Sequence, residues 1–467
     1  MRHPGTSADW QRLLVYGLRV SGQAAARLAL DRGAQVLAVD AKPLSELGLG
    51  DLLGRPGFEV VAGLEPPHLP SGIDAVVVSP GVPADRPLLR EARERGLPVL
   101  AEVELAFPYL DGPVVAITGS NGKSTTTSLA AAMLQAAGWD AVACGNLGEP
   151  LAGQVLPPGA EARPRRVVVV ELSSFQLEGT HAFHPRAAAL LNISPDHLDR
   201  HGDLAGYAAA KRRIFARQTV DDSAVLNADD LWSAGSETAG RRRFFSRHRR
   251  VEDGCHVVGD QVLEVAPGFP SETLFTLADV PLAGGHNVEN AMAAALLARA
   301  LGAPAAAIAQ ALREFRGLPH RMEKVAEWAG VTFYDDSKGT NPGATLGTLA
   351  GLPDGSVHLI LGGRNKGSDF AEMADTVAKK ARQVYLIGEA AAEFRSVLAG
   401  RASLVDAGTL ERAVAIAAEA ARPGEIVLLS PACASFDQFR DFNHRGEVFH
   451  QLVHRTVEAR RGEEARV

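Results

Sequence analysis

One stretch constrains this chain more than any other: ITGSNGKSTTT, residues 117–127, set between the run VVAIT and the alanine-rich run STTTSLAAAMLQAAG. A short apolar, β-branched run reads as a buried strand, and the alanine-rich run reads as a helix. The residues between them must turn tightly and aim backbone N–H groups at an anion. Gly119 and Gly122 permit that turn because they carry no Cβ, and the helix start adds the positive end of its dipole. With Asn121 they form the tip of the loop. Lys123 is placed to neutralise phosphate oxygens, and the Ser124 or Thr125 hydroxyl to meet Mg2+. The glycine spacing is shorter than the strict phosphate-loop form, GxxGK[ST]. The loop points to nucleotide use without naming the reaction.

The flanking sequence repeats the same alternation. A strand at residues 13–16 precedes glycine-punctuated residues 17–22, the helical run QAAARLALDRG, and the strand QVLAVD ending at Asp40; DAVVVSPG follows at 74–81. This order predicts a doubly wound parallel sheet, with ligands beyond the carboxyl ends of its strands. The first turn lacks the middle glycine of a dinucleotide fingerprint. Arg19 stands there and obstructs close backbone approach to a pyrophosphate, which favours a UDP-type ligand over a redox dinucleotide. Asp40 has two readings: an acceptor for a ribose or base, or a solvated helix-cap carboxylate.

A breaker cluster at 111–113 closes this segment. In the next, RVVVVEL (166–172) and AAALLNI (187–193) read as buried strands, residues 240–280 as a small antiparallel flank, and NVENAMAAALLARALG as a helix. After a break at 317–319, VTFYDD, VHLILGG, VYLIG and IVLLS alternate with helical patterns. The Arg/Glu-rich residues from 458 onward read as a frayed tail. The predicted fold class is α/β, with three domains each built on a mostly parallel sheet with flanking helices: Rossmann-like at 1–111, phosphate-loop type at 112–318 and Rossmann-like at 319–467.

The length of 467 residues agrees with three domains at roughly 150 residues each. The formal net charge of −7 makes general nucleic-acid binding a poor fit. Cys144, Cys255 and Cys433 are too scattered for a disulfide framework or a zinc site. The start of the chain lacks the apolar stretch of a secretory signal, and no run approaches the ~20 apolar residues of a membrane span. A cytoplasmic chain is expected.

Three titratable residues follow the loop. Glu171 ends a buried strand, placed either to bind a hard cation or to begin a helix. His197, beside Asp196, lies just past the next strand end, and the parallel placement favours a metal site shared with Glu171. Lys211 sits in the helical run YAAAKRRIF, and its spacing alone gives it no role beyond a solvated lysine.

With these residues in place, the chain resembles the Mur ligase family from Gly17 to about Glu447. The motifs that carry the resemblance are ITGSNGKST, GNLG, ELSSFQLE, NISPDHLDRH, AAKRRIF, LNADD, GGHNVEN, GLPHRME, DDSKGTN, LGGRNKG and SPACASFDQFRDFNHRG. ELSSFQLE, DDSKGTN and ASFDQF point within the family to the member that adds D-glutamate to UDP-N-acetylmuramoyl-L-alanine for peptidoglycan precursor synthesis. The resemblance implies an ATP-dependent ligase acting through an acyl phosphate, expected as a monomer. Its first domain would bind the UDP substrate, its second ATP, and its mobile third the amino acid.

By the same resemblance, Lys123, Ser124 and Thr125 would hold ATP phosphates and one Mg2+, with Glu171 as a ligand. His197 and Lys211 would bind a second Mg2+, Lys211 as a carbamate, which turns a repelling ammonium into a carboxylate-like ligand. Asn287, Asn290, Arg321 and Asp336 would contact the nucleotide. Lys338, Thr340, Lys366, Ser435, Phe436 and Phe442 would line the D-glutamate pocket, and Ser79 and Asn146 would meet the UDP substrate. Phe436 stands where leucine is usual, and Arg19 where glycine is common. Three rivals share the engine or its remains: a sibling ligase for another amino acid, a folylpolyglutamate-type ligase, and a catalytically dead nucleotide-binding partner. The last should have lost Lys123, Glu171 or His197, and all three are present.

Overall fold

The computed structural model describes residues 10–282 and 284–464. They form two compact units. One runs to Ile193 and adds Ala208–Asp279 and Glu289–Glu314; the other comprises Ser194–Tyr207, Val280–Val288 and the residues from Phe315 onward.

The first unit holds two sheets. In sheet one, β1 (Arg12–Tyr16), β2 (Gln35–Asp40), β3 (Phe58–Ala62), β4 (Ala75–Val78) and β5 (Val99–Ala101) are ordered β3-β2-β1-β4-β5. Every pairing is parallel. The chain steps to one side of β1 and then to the other. The carboxyl ends of β1, β2 and β4 therefore open into one crevice. Sheet two contains β6 (Val114–Thr118), β7 (Asp140–Gly145), β8 (Arg166–Glu171), β9 (Ala187–Leu190), β10 (Ser223–Asn227), β11 (Arg241–Ser246), β12 (Gly254–Val258), β13 (Gln261–Val265) and β14 (Glu272–Thr276). Its order is β14-β13-β12-β11-β10-β9-β6-β8-β7. Strands β6, β8 and β9 are buried at every position, as strands covered on both faces must be. The flank expected to be antiparallel is mixed: β11 and β12 continue the parallel sheet, and only the β12–β13 and β13–β14 pairings are antiparallel.

Glu104 helps to tie the two sheets of this unit together. Its carboxylate, at the end of sheet one, accepts from the backbone N–H groups of His181, Ala182 and Phe183 at 2.9, 2.7 and 3.1 Å. Three backbone donors thus satisfy one buried carboxylate and fix its position.

In the second unit, β15 (Glu323–Trp328), β16 (Val331–Asp335), β17 (Val357–Gly362), β18 (Ala381–Ile387), β19 (Leu404–Gly408) and β20 (Ile426–Leu429) are ordered β15-β16-β20-β17-β18-β19, with β15 alone antiparallel. Period-two alternation splits its core. Ile360, Val427 and Leu429 face one side with Phe449 and Val453, while Leu359, Leu361 and Leu428 face the other with Phe394. The residues from 458 onward correct the frayed-tail reading. The helix Phe442–Glu464 continues through them because Phe449, Leu452, Val453 and Val457 bury one stripe on the sheet, and Arg460 Nη1 bonds Ala418 O at 2.9 Å. Residues 465–467 of that tail lie outside the described ones. Among the described residues no helix is long and apolar enough to cross a membrane. All three cysteines are buried and unbridged.

Candidate active site

The phosphate loop follows β6, and the helix Lys123–Ala136 follows the loop. Gly122 sits at φ 83°, left-handed, and a Cβ there would lie 2.1 Å from Asn290 Oδ1. Only glycine fits that turn and that neighbour. Asn192, at the end of β9, braces the loop from below. Its carbonyl accepts from Ser120 N at 2.9 Å, its Oδ1 from Asn121 N at 2.8 Å, and its Nδ2 donates to Asn121 O at 3.2 Å. Lys123 folds back so that Nζ donates to Gly119 O at 2.9 Å and Ser120 O at 2.8 Å. Its charge is thus held at the loop mouth.

Beside the loop, Ser124 Oγ donates to Glu171 Oε2 at 2.6 Å and Asn146 Nδ2 donates to Glu171 Oε1 at 2.8 Å. Glu171 and Asn146 reach this point from the ends of neighbouring strands β8 and β7, where Asn146 N also bonds Glu171 O at 2.9 Å. The Ser124 and Glu171 oxygens are hard donors. Their 2.6 Å separation is that of a hydrogen bond, and an octahedral ion with bonds of about 2.1 Å would hold them about 3.0 Å apart. By donor chemistry the pair suits Mg2+. Thr125 is fully buried and its hydroxyl has no hydrogen-bond partner within the protein. Lys211 is 2% exposed, against the plain reading of a solvated lysine, and its Nζ lies 3.5 Å from Thr118 Oγ1. Asn290 is buried, with Oδ1 3.4 Å from Thr126 Oγ1.

In the same unit a cavity of about 470 Å³ opens at the carboxyl ends of sheet one, lined by Gly17, Arg19, Asp40, Lys42, Ser79, Gly81 and Arg86 together with Asn146 and Gln176. Ser79 Oγ donates to Gly17 O at 2.7 Å. Asp40 is a cap: its carboxylate accepts from Leu18 N at 2.6 Å and Lys42 N at 2.9 Å. Lys42, Arg86 and Gln176 were not singled out from sequence, and neither was Asn192. Each acts through spatial convergence that no local spacing encodes.

Within the second unit, His197 takes a left-handed φ of 54° at the start of a one-turn helix, with Nε2 3.7 Å from Asp196 Oδ1. Asp196 also meets Lys366 Nζ at 3.2 Å and Asn341 Nδ2 at 3.4 Å. Asp336, just past β16, accepts from Ser430 Oγ at 2.7 Å and Thr348 Oγ1 at 2.9 Å. Burial pushes its carboxyl up to about 6, against the lowering pull of Arg321 and both hydroxyls. Lys338 Nζ stands 5.3 Å from the centre of the Phe442 ring. Ser337 Oγ donates to Phe442 O at 2.8 Å, and buried Arg445 donates to Ser337 O at 2.8 Å. This fixes the segment bearing Lys338 and Thr340 against the start of the last helix. Ser435 is buried, whereas Phe436 is 55% exposed. Asn287 is buried near the start of the helix Gly285–Ala300.

Comparison with known proteins identifies the family and the fold. Residues 117–298 match the Mur ligase middle domain, and residues 320–433 match the Mur ligase glutamate ligase domain. The chain is 45% identical over 447 residues to the UDP-N-acetylmuramoylalanine--D-glutamate ligase of Acidobacterium capsulatum, covering 95% of this chain and 96% of the relative. The enzyme of that name from Solibacter usitatus is 44% identical, with 95% and 97% covered. Among solved structures, the MurF ligase of Thermotoga maritima in complex with ADP superposes with a TM-score of 0.60 at 18% identity, covering 97% of this chain and 100% of that one. The UDP-N-acetylmuramate-alanine ligase of the same organism gives 0.58 at 19%, with 95% and 98% covered. At these identities the superpositions speak for the fold.

Proposed function

The chain belongs to the Mur ligase family, and from that premise we propose that it is the ATP-dependent ligase that joins D-glutamate to UDP-N-acetylmuramoyl-L-alanine in cytoplasmic peptidoglycan precursor synthesis. The observation that carries the reading is the Ser124–Glu171 pair beside Lys123, in a chain that shares 45% identity with a relative of that activity. In this proposal residues 1–111 take the UDP substrate, 112–318 take ATP and 319–467 take the amino acid.

Ser124 and Glu171 would hold one Mg2+, and His197 with a carbamylated Lys211 a second. These ions supply charge neutralisation on the phosphoryl oxygens. Lys123 leaves the Gly119 and Ser120 carbonyls for the γ-phosphate, so that charge developing there meets a preplaced cation. Gly119, Asn121, Gly122 and Thr125 cradle the phosphates. Asn287, Asn290, Arg321 and Asp336 orient the nucleotide. Asn146 and Ser79 position the UDP substrate, whose carboxylate attacks the γ-phosphorus, giving ADP and an acyl phosphate. Lys338, Thr340, Lys366 and Ser435, with Phe436 and Phe442 at the rim, hold the dicarboxylic amino acid. Its neutral amine then attacks the acyl carbon. The tetrahedral intermediate expels phosphate and leaves the amide.

A phosphate-release assay with UDP-N-acetylmuramoyl-L-alanine and a panel of amino acids tests this. Release with D-glutamate alone is expected. Release with L-glutamate or lysine instead would overturn the assignment.

A further inference from the structure

The second unit carries a cluster with no part in the reaction above. His320, Glu323, Asp335 and His450 each offer one donor atom, and these atoms all lie within 4.8 Å of one another. They come from the turn before β15, from β15, from the end of β16 and from the helix Phe442–Glu464. Asp335 is fully buried, with Oδ2 2.7 Å from His320 Nδ1 and 3.0 Å from His450 Nε2. Glu323 Oε2 lies 3.7 Å from the same His450 nitrogen.

A hydrogen-bonded histidine–aspartate clamp accounts for the first contact and not the second. His450 Nε2 is buried and pairs with Asp335 Oδ2 at 3.0 Å, a contact that does not meet hydrogen-bond geometry. A shared proton must lie near the N···O line. An ion about 2.1 Å from both atoms must lie off it, by about 45° for this separation. The backbone is also shaped around the cluster. His320 and Met322 hold left-handed φ values of 59° and 46°. A Cβ on Gly446, one turn before His450, would lie 2.1 Å from His320 Nδ1 and 2.7 Å from Asp335 Oδ2. Glycine there lets the helix close down on the other two residues. The carboxylates are oriented from behind: Asp335 Oδ1 accepts from Ser337 N at 2.8 Å, and Glu323 Oε2 from His320 N at 2.8 Å.

We propose that His320, Glu323, Asp335 and His450 form a four-coordinate site for one Zn2+ ion, pinning the helix Phe442–Glu464 to the β15–β16 hairpin. Two imidazoles and two carboxylates are a zinc-class set. They suit Zn2+ better than Mg2+, which prefers oxygen ligands. The hard-oxygen pair Ser124–Glu171 has the opposite preference.

The test uses the full-length chain, stripped with a chelator and titrated calorimetrically with Zn2+ in excess Mg2+, with Co2+ as an optical probe. One equivalent of Zn2+ is expected, with the visible absorption of tetrahedral Co2+ and a rise in melting temperature. Glu323→Gln and His450→Ala should each weaken binding at least about tenfold. His197→Ala should keep the equivalent. If His450→Ala fails to fold, Glu323→Gln decides, because that side chain is 38% exposed. No uptake by the wild type, or variants that bind as tightly as it does, would leave a proton-held clamp and overturn the proposal.

Discussion

The first unit contains the same device twice, and the two copies are built for opposite tasks. Residues 17–22 and 119–123 each lead from a central parallel strand into a helix, and each contains a left-handed glycine, Gly17 at φ 88° and Gly122 at φ 83°. In the second copy the charge at the turn is a cation: Lys123 caps the carbonyls of Gly119 and Ser120. In the first it is an anion: Asp40 accepts from Leu18 N, where a dinucleotide fold would receive phosphate. An anionic ligand at the first turn must therefore be held by the side chains around it, Arg19, Lys42 and Arg86. Topology places a ligand at strand ends, and the charge at the turn decides which part of the ligand is bound there.

The largest expected effect comes from Lys123→Ala. It removes the one side-chain charge that the second turn presents, and phosphate release should fall about a thousandfold or more, with the melting temperature little changed. Activity near wild type would show that the two turns do not differ in the way described. Gly122→Ala comes next. It forces alanine into a left-handed conformation and into contact with Asn290. Misplacing the loop by about an ångström should lower kcat/KM for ATP about a hundredfold. KM for the UDP substrate is the internal control and should hold steady.

Asp40→Ala probes the first turn. Leu18 N and Lys42 N lose their acceptor, at a cost of about 1–3 kcal/mol. KM for the UDP substrate should rise roughly tenfold, while kcat at saturation stays near wild type. An equal loss in KM for ATP would mean that Asp40 serves the whole unit rather than its own turn.

The two turns also differ in how far sequence revealed them. The second was legible because its strand, glycines, lysine and hydroxyls are contiguous, and each restricts the chain locally. The first could be placed but not interpreted. Whether Asp40 caps the turn or meets a ligand depends on Leu18 N lying 2.6 Å away, which spacing does not encode. Asn192 bracing the loop and Asp196 meeting Asn341 and Lys366 were hidden for the same reason, since each joins residues far apart in the chain. The end of the last helix was misread from composition. Its charged residues masked the apolar stripe from Phe449 to Val457 that holds it to the sheet. Buried Lys211 shows the limit most clearly, because nothing in YAAAKRRIF distinguishes it from a solvated lysine.

Arg19→Gly should give the smallest effect and the finest discrimination. Arg19 is exposed and makes no capping hydrogen bond at the helix start, so stability should move by no more than about 0.5 kcal/mol. An exposed cation facing a diphosphate is worth about 0.2–1 kcal/mol, so KM for the UDP substrate should rise no more than about fivefold. That increment is electrostatic and must fade with salt, as the screening length shrinks from about 10 Å at 0.1 M to about 3 Å at 1 M. Wild type and variant should therefore converge in KM at high ionic strength, while Asp40→Ala, which breaks a contact inside the protein, should remain apart from both. If Arg19→Gly instead lowered KM, the side chain would be an obstruction. The first turn would then approach its ligand through backbone, as the second does, and the contrast between the two would be lost.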